Sequence, residues 1–98
     1  MAYNIYAETN KKIDWMEINQ KLMAHKLIEY VPMPEMGIEY GDAIGISIPS
    51  KNLGIKAWNE LEGVISLLET EYKFNLYDMY YGEKITFQLL NKIKGNIV

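Results

Sequence analysis

Few side chains in this sequence carry groups that could break or make bonds. His25 is the only histidine, and cysteine is absent. A Ser-His-Asp unit would have to combine His25 with Ser47, Ser50 or Ser66, and none of these serines lies in a recognisable nucleophile turn. His25 reads more simply as a surface residue in the last turn of a first helix, where positive charge complements the dipole. With one imidazole and no thiolate, a metal would need a cluster of carboxylates. The thirteen Asp and Glu residues are scattered singly and form no calcium-loop pattern. Glu62 with Glu69, and Glu60 near Glu71, fall at helical spacing and read as a solvated face. The stretch Gly41-Asp42-Ala43-Ile44-Gly45 leads into a strand rather than joining strand to helix, and lacks the P-loop lysine. The expectation is no catalytic residue, no metal and no cofactor.

Asp78 stands apart from the other acids. It sits inside Leu76-Tyr77-Asp78-Met79-Tyr80, on the side of a strand where alternation calls for an apolar residue. A buried carboxylate must be paired or protonated, which can mark a site. The simpler reading is a bulge or strand end that lets Asp78 reach water, or a hydrogen bond to a neighbouring tyrosine. An enzyme reading would need Asp78, His25 or Glu29 to converge in a pocket.

Two features favour binding over turnover. Tyr6, Tyr30, Tyr77 and Tyr81 are placed to project from one side of a sheet, and tyrosine gives large contact area at low entropic cost. The opposing expectation is that the terminal segment folds over that side. The second feature is the connection from Val31 to Tyr40, in which Met33, Met36, Ile38 and Tyr40 are unusually apolar and Pro32 and Pro34 stiffen the chain. Exposed, it is a binding protrusion; tucked in, it is a lid on the core.

These residues need elements to hold them. Tyr3, Ile5 and Ala7 alternate with Asn4, Tyr6 and Glu8, the period of a strand over Ala2 to Glu8. Asp14 followed by Glu17 resembles an N-cap with an acid at the third helical position, opening a helix from Trp15 to His25. Lys26 to Val31 reads as a strand stopped by Pro32-Met33-Pro34, and Pro34 to Asp42 as a loop. Ala43 to Ile48 alternates isoleucines with Gly45 and Ser47. A long amphipathic helix follows, capped by Ser50 or Asn52, with Trp58, Leu61, Ile65, Leu68 and Tyr72 on its apolar stripe. Gly63 inside it suggests a close packing contact. Phe74 to Tyr81 is a fourth strand. Glu83 to Lys94 fits a helix carrying Ile85, Leu89 and Ile93, or a fifth strand over Lys84 to Leu90 paired across a Gly82-Glu83 turn.

The order β-α-β-β-α-β plus a terminal helix predicts an α+β fold. Two helices on one face of an antiparallel sheet would make it the ferredoxin-like split βαβ arrangement, with residues 1–98 as a single domain.

Composition excludes more than it identifies. All ten basic residues are lysine, the pI is near 5.1 and the net charge is −3. The imbalance lies in residues 1–50, with four Lys against seven acids. A chain without arginine or a basic stripe is a poor nucleic-acid binder, and the third strand lacks the stacking aromatics of an RNA-recognition module. The apolar run Val64–Leu68 is far shorter than the roughly 20 residues that span a bilayer. Neither a basic leader nor an apolar h-region is visible at the start. The expected location is the cytoplasm, and the wealth of Ile, Asn, Lys and Tyr suggests an AT-rich bacterial or phage genome.

The function expected is a non-catalytic acidic module that binds a protein partner or itself, such as an inhibitor, immunity-type or phage accessory protein. A dimeric ligand-sensing or structural domain is the second expectation, and an enzyme the third.

Overall fold

The computed structural model describes residues 2–97, so Met1 and Val98 of the expected domain lie outside it. The elements run β1 (Tyr3–Glu8), α1 (Trp15–Leu22), β2 (Glu29–Met33), β3 (Ala43–Ile48), α2 (Ile55–Thr70), β4 (Asn75–Asp78) and α3 (Phe87–Ile97). The four strands form one sheet in the order β2-β3-β1-β4, and every neighbouring pair is antiparallel. The fold is thus a small α+β arrangement of one antiparallel sheet and three helices. None of the described helices is long and apolar enough to cross a membrane.

Residues paired across antiparallel strands point to the same side, so the register fixes what each face carries. Tyr3, Ile5 and Ala7 of β1 sit opposite Ile48, Ile46 and Ile44 of β3, while Leu76 and Asp78 of β4 sit opposite Ala7 and Ile5. These side chains join Ile18 and Leu22 of α1, Trp58, Leu61 and Leu68 of α2, and Leu89 and Ile93 of α3 in one buried core. Tyr3 lies tilted against the Trp58 ring at 5.6 Å. Each fully buried Ile or Leu contributes about 1.5–3 kcal/mol.

Element ends follow local chemistry. Asp14 caps α1 by accepting the Glu17 N–H at 3.2 Å. The helix stops at Leu22 rather than His25, and the chain turns so that the His25 N–H meets the Leu22 carbonyl. A half-buried His25 then lies beside Gly63. Gly63 itself is exposed, and a Cβ there would meet only the His25 ring at an ordinary 3.7 Å. The close contact expected at this glycine is absent.

Pro32 does not stop β2. The strand runs through it to Met33, with Pro32 opposite Ile44. This is possible because β2 is an edge strand, the one place where a missing N–H costs little. Ser50 and Asn52 form a short turn ahead of α2, and Gly54 is the residue at the cap.

β4 ends at Asp78, three residues earlier than expected. The chain then turns through Gly82, whose φ of 72° suits glycine. It pairs back briefly through a Tyr77–Lys84 bridge and the Ile85 N–H to the Leu76 carbonyl. Both readings of the C-terminal segment therefore hold in part: a stub of hairpin, then a helix. The Thr86 hydroxyl, accepting the Leu89 N–H at 3.1 Å, marks where the helix begins.

Candidate functional site

The side of the sheet away from the core carries no helix among the described residues. Register lays it out in rows. The central row is Val31, Gly45, Tyr6 and Tyr77; on one side run Glu29, Ser47 and Asn4, on the other Met33, Ala43, Glu8 and Asn75. Apart from the buried Ala43 these positions are half-buried or exposed, with Val31 at 62%. Gly45 leaves the central row without a side chain. The resulting notch, about 190 Å³, is bounded by Val31, Ser47, Asn4 and Glu29.

The loop after β2 closes one end of this face. The Tyr6 phenol donates to the Met36 carbonyl at 2.7 Å. Partial burial first, then the charge of neighbouring Glu8, holds that phenol's pKa above its ordinary value. The loop is tied down from beneath by Asp42, which is 2% exposed. Its Oδ2 accepts the Ile13 N–H at 2.7 Å and its Oδ1 the Glu35 N–H at 3.0 Å, with the Lys12 ammonium 4.0 Å away. Backbone bonds from Ile38 N–H to the Thr9 carbonyl and from Thr9 N–H to the Asp42 carbonyl complete the crossing. Gly37 and Gly41 are needed there, because a Cβ on either would collide with the Asp42, Thr9 or Asn10 backbone.

Three loop residues that are not glycine, Glu35, Glu39 and Tyr40, hold positive φ, a conformation costing roughly 1–2 kcal/mol each. The loop is therefore neither a free protrusion nor a lid. It is a fixed shelf, with Met36 60% and Tyr40 79% exposed and Ile38 at the margin.

The tyrosines expected on one face divide. Tyr6 and Tyr77 are Cα partners on the open face. Tyr30 sits opposite Ile46 and packs against the core, because β2 pairs with β3 in the register that turns Val31 outward. Tyr81 lies beyond the end of β4, edge-on to Tyr80, with the Lys92 ammonium 4.5 Å from its ring and the Asn96 amide donating to its hydroxyl. The terminal segment thus contacts Tyr81, which stays 36% exposed, while Tyr6 and Tyr77 are half-buried on the open face. Of the loop residues, Met36 meets Tyr6 through its carbonyl and Met33 sits opposite Ala43 at the end of β2, whereas Ile38 and Tyr40 are held by the Thr9 carbonyl and the Lys12 ammonium.

Asp78 is fully buried. It ends β4 without reaching water: its Oδ2 accepts the Tyr81 N–H and its carbonyl accepts that of Gly82. Its other oxygen, Oδ1, and the Tyr3 hydroxyl are buried without a hydrogen-bond partner among the described residues. Burial, reinforced by the adjacent Asp78 carboxylate, pushes the Tyr3 phenol far above the ordinary tyrosine range. His25 lies against α2 and Glu29 on the open face, so the structure does not bring the three together.

Glu60 is not simply solvated, since it accepts the Leu27 N–H at 3.1 Å. Glu71 joins Lys21, Glu17 and Tyr72 in a surface network. There the hydrogen bond from Tyr72, then Lys21, lowers the Glu17 pKa.

A second concavity, a groove of about 330 Å³, runs between α2 and α3 with Glu62, Ile65, Glu69, Phe87 and Leu90 on its walls. Among the described residues no group of three or more His, Asp or Glu side chains is placed to hold a metal. Sequence reasoning missed Asp42, because its partners are backbone amides 29 and 7 residues away. The bare positions Gly45 and Ser47 were visible as alternation, but not what surrounds them. No family model, curated protein or solved structure matches the chain.

Proposed function

We propose that this chain is a single-domain, non-catalytic protein-binding module, acting as an inhibitor or accessory factor that occupies a partner's surface. The observation that carries the reading is the uncovered row Val31–Gly45–Tyr6–Tyr77, continuous with the fixed shelf bearing Met36, Ile38 and Tyr40. Apolar and aromatic groups on a rigid scaffold, ringed by Asn4, Ser47, Asn75 and two carboxylates, have the make-up of an interface core with a polar rim. Rigidity matters because a preordered surface loses little entropy on binding, and Asp42 with the Tyr6–Met36 bond supplies it.

In this reading the architecture is the ferredoxin-like split βαβ. Its support is the placement of β3 between β1 and β2, each of those strands being followed by a helix or hairpin in the expected order. The architecture hosts many functions and lends none. A partner of nucleic acid is disfavoured by the absence of arginine and by Glu8 and Glu29 on the open face. Lack of cysteine suits a reducing cytoplasm.

The test is affinity capture from the native host with the wild-type chain and a Tyr6→Ala/Tyr77→Ala double variant in parallel. A protein retained by the first and lost with the second, at unchanged fold by circular dichroism, supports the reading. Equal retention by both contradicts it. Sedimentation of the purified chain identifies the case in which the occupant is a second copy.

A further inference from the structure

We infer that the notch over Gly45 receives a lysine or arginine side chain of the partner protein. The inference rests on the docking reading above and specifies its chemistry. The notch holds about 190 Å³, several times the roughly 30 Å³ that one water occupies in the liquid and enough for a long side chain. Its wall is apolar along Val31, which is 62% exposed, and its floor is the bare backbone of Gly45. Among the described residues the only charged group lining it is the Glu29 carboxylate, beside the Ser47 hydroxyl and the Asn4 amide.

A lysine or arginine fits that pattern from stem to head. Its methylenes lie on apolar surface while its charged end reaches a carboxylate and neutral acceptors. An acidic residue would meet Glu29 with like charge, and an aliphatic one would leave the three polar groups without a purpose.

Charge around the notch points the same way. Glu8 stands on the next row beyond Tyr6, and Glu39 on the shelf. The neighbouring cation Lys12 is already engaged with the Tyr40 carbonyl and Glu35. Lys84 lies at the far edge, opposite Tyr77. Such an uneven field draws a cationic segment to the Val31 side and sets its orientation.

The fold permits a clean test. A Cβ added at Gly45 would meet Met33 Sδ at 3.7 Å and Val31 Cβ at 4.0 Å, ordinary contacts. Gly45→Ala therefore places a methyl group in the notch at ordinary contact, and Gly45→Val, a β-branched residue suited to a strand, fills more of it. The exposed Glu29→Gln removes the charge alone and covers the case in which Gly45→Val folds poorly.

Random twelve-residue peptides displayed on phage, selected on the wild-type chain, serve as the probe. The expected binders carry a Lys or Arg whose replacement by alanine abolishes binding, and Gly45→Val and Glu29→Gln each weaken them by roughly tenfold or more. Binders that need an acidic or apolar residue at the notch, and that still fail on Tyr6→Ala/Tyr77→Ala, overturn the cationic assignment while leaving the docking face standing. Binders indifferent to all three variants, or no binders at all, overturn both.

Discussion

The two faces of this sheet are made from the same four strands by alternation, yet they are finished in opposite ways. On one, Ile44, Ile46 and Ile48 meet Trp58 and the helices and vanish from solvent. On the other, the positions between them are Gly45 and Ser47, and the space they leave is bordered by Val31, Glu29 and Asn4 rather than filled. A sheet that needed both faces for stability would carry large side chains on both. The difference teaches that the covered face supplies the fold and the open face is at liberty to bind.

Core truncation sets the scale of that contrast. Ile46→Ala on the covered face should cost about 2–5 kcal/mol in urea unfolding, whereas Val31→Ala on the open face of the edge strand should cost under about 1 kcal/mol. Comparable losses at both sites would mean that the open face is structural.

Asp42 is the next lever, because it joins the two regions. Replacing it with alanine leaves the Ile13 and Glu35 amides without their acceptor and should cost about 2–3 kcal/mol. Hydrogen exchange at those two amides, accelerated far more than at α2, would show that the shelf is released; uniform acceleration would show that Asp42 supports the whole fold.

The covered face has a weak point in the Tyr3–Asp78 pair, and pH exposes it. The Tyr3 phenol keeps its proton in the folded chain beyond the pH at which an unfolded tyrosine loses it. Its contribution is therefore present in full below about pH 10 and declines as pH rises from there toward the folded value, by at most about 1.4 kcal/mol per pH unit. Tyr3→Phe should flatten that alkaline decline when stability is followed by denaturant titration; an unchanged slope would assign it elsewhere, for example to Lys21, whose raised pKa acts in the same direction.

The smallest expected change is a gain. Gly63→Ala in α2 should stabilise by about 1 kcal/mol, since the site is exposed and the new methyl group only touches His25. A loss would reveal a tighter α1–α2 contact than the 3.7 Å spacing implies.

Much of the covered face could be read from residue order. The Tyr3-Ile5-Ala7 and Ile44-Ile46-Ile48 alternations and the Trp58–Leu68 stripe declare their burial locally, and Asp14 declares its cap. What escaped reading depended on pairing between distant segments. Pro32 looked like a stop because a sequence does not say which strand lies at an edge. Tyr30 was assigned to the wrong side because the register of β2 on β3, not alternation within β2, decides its direction. Tyr81 was lost to the early end of β4, where Asp78 turns the chain. The shelf looked like a flexible protrusion because Asp42, Gly37 and Gly41 act on backbone atoms that the sequence does not place beside them.

Hydrogen–deuterium exchange of the chain, alone and in complex with the captured partner, addresses the docking surface most directly. Slowed exchange concentrated in residues 4–8, 29–40 and 43–47 is the result that follows from an open face built to bind. Protection confined to the α2–α3 groove around Phe87, with those segments unaffected, would contradict it.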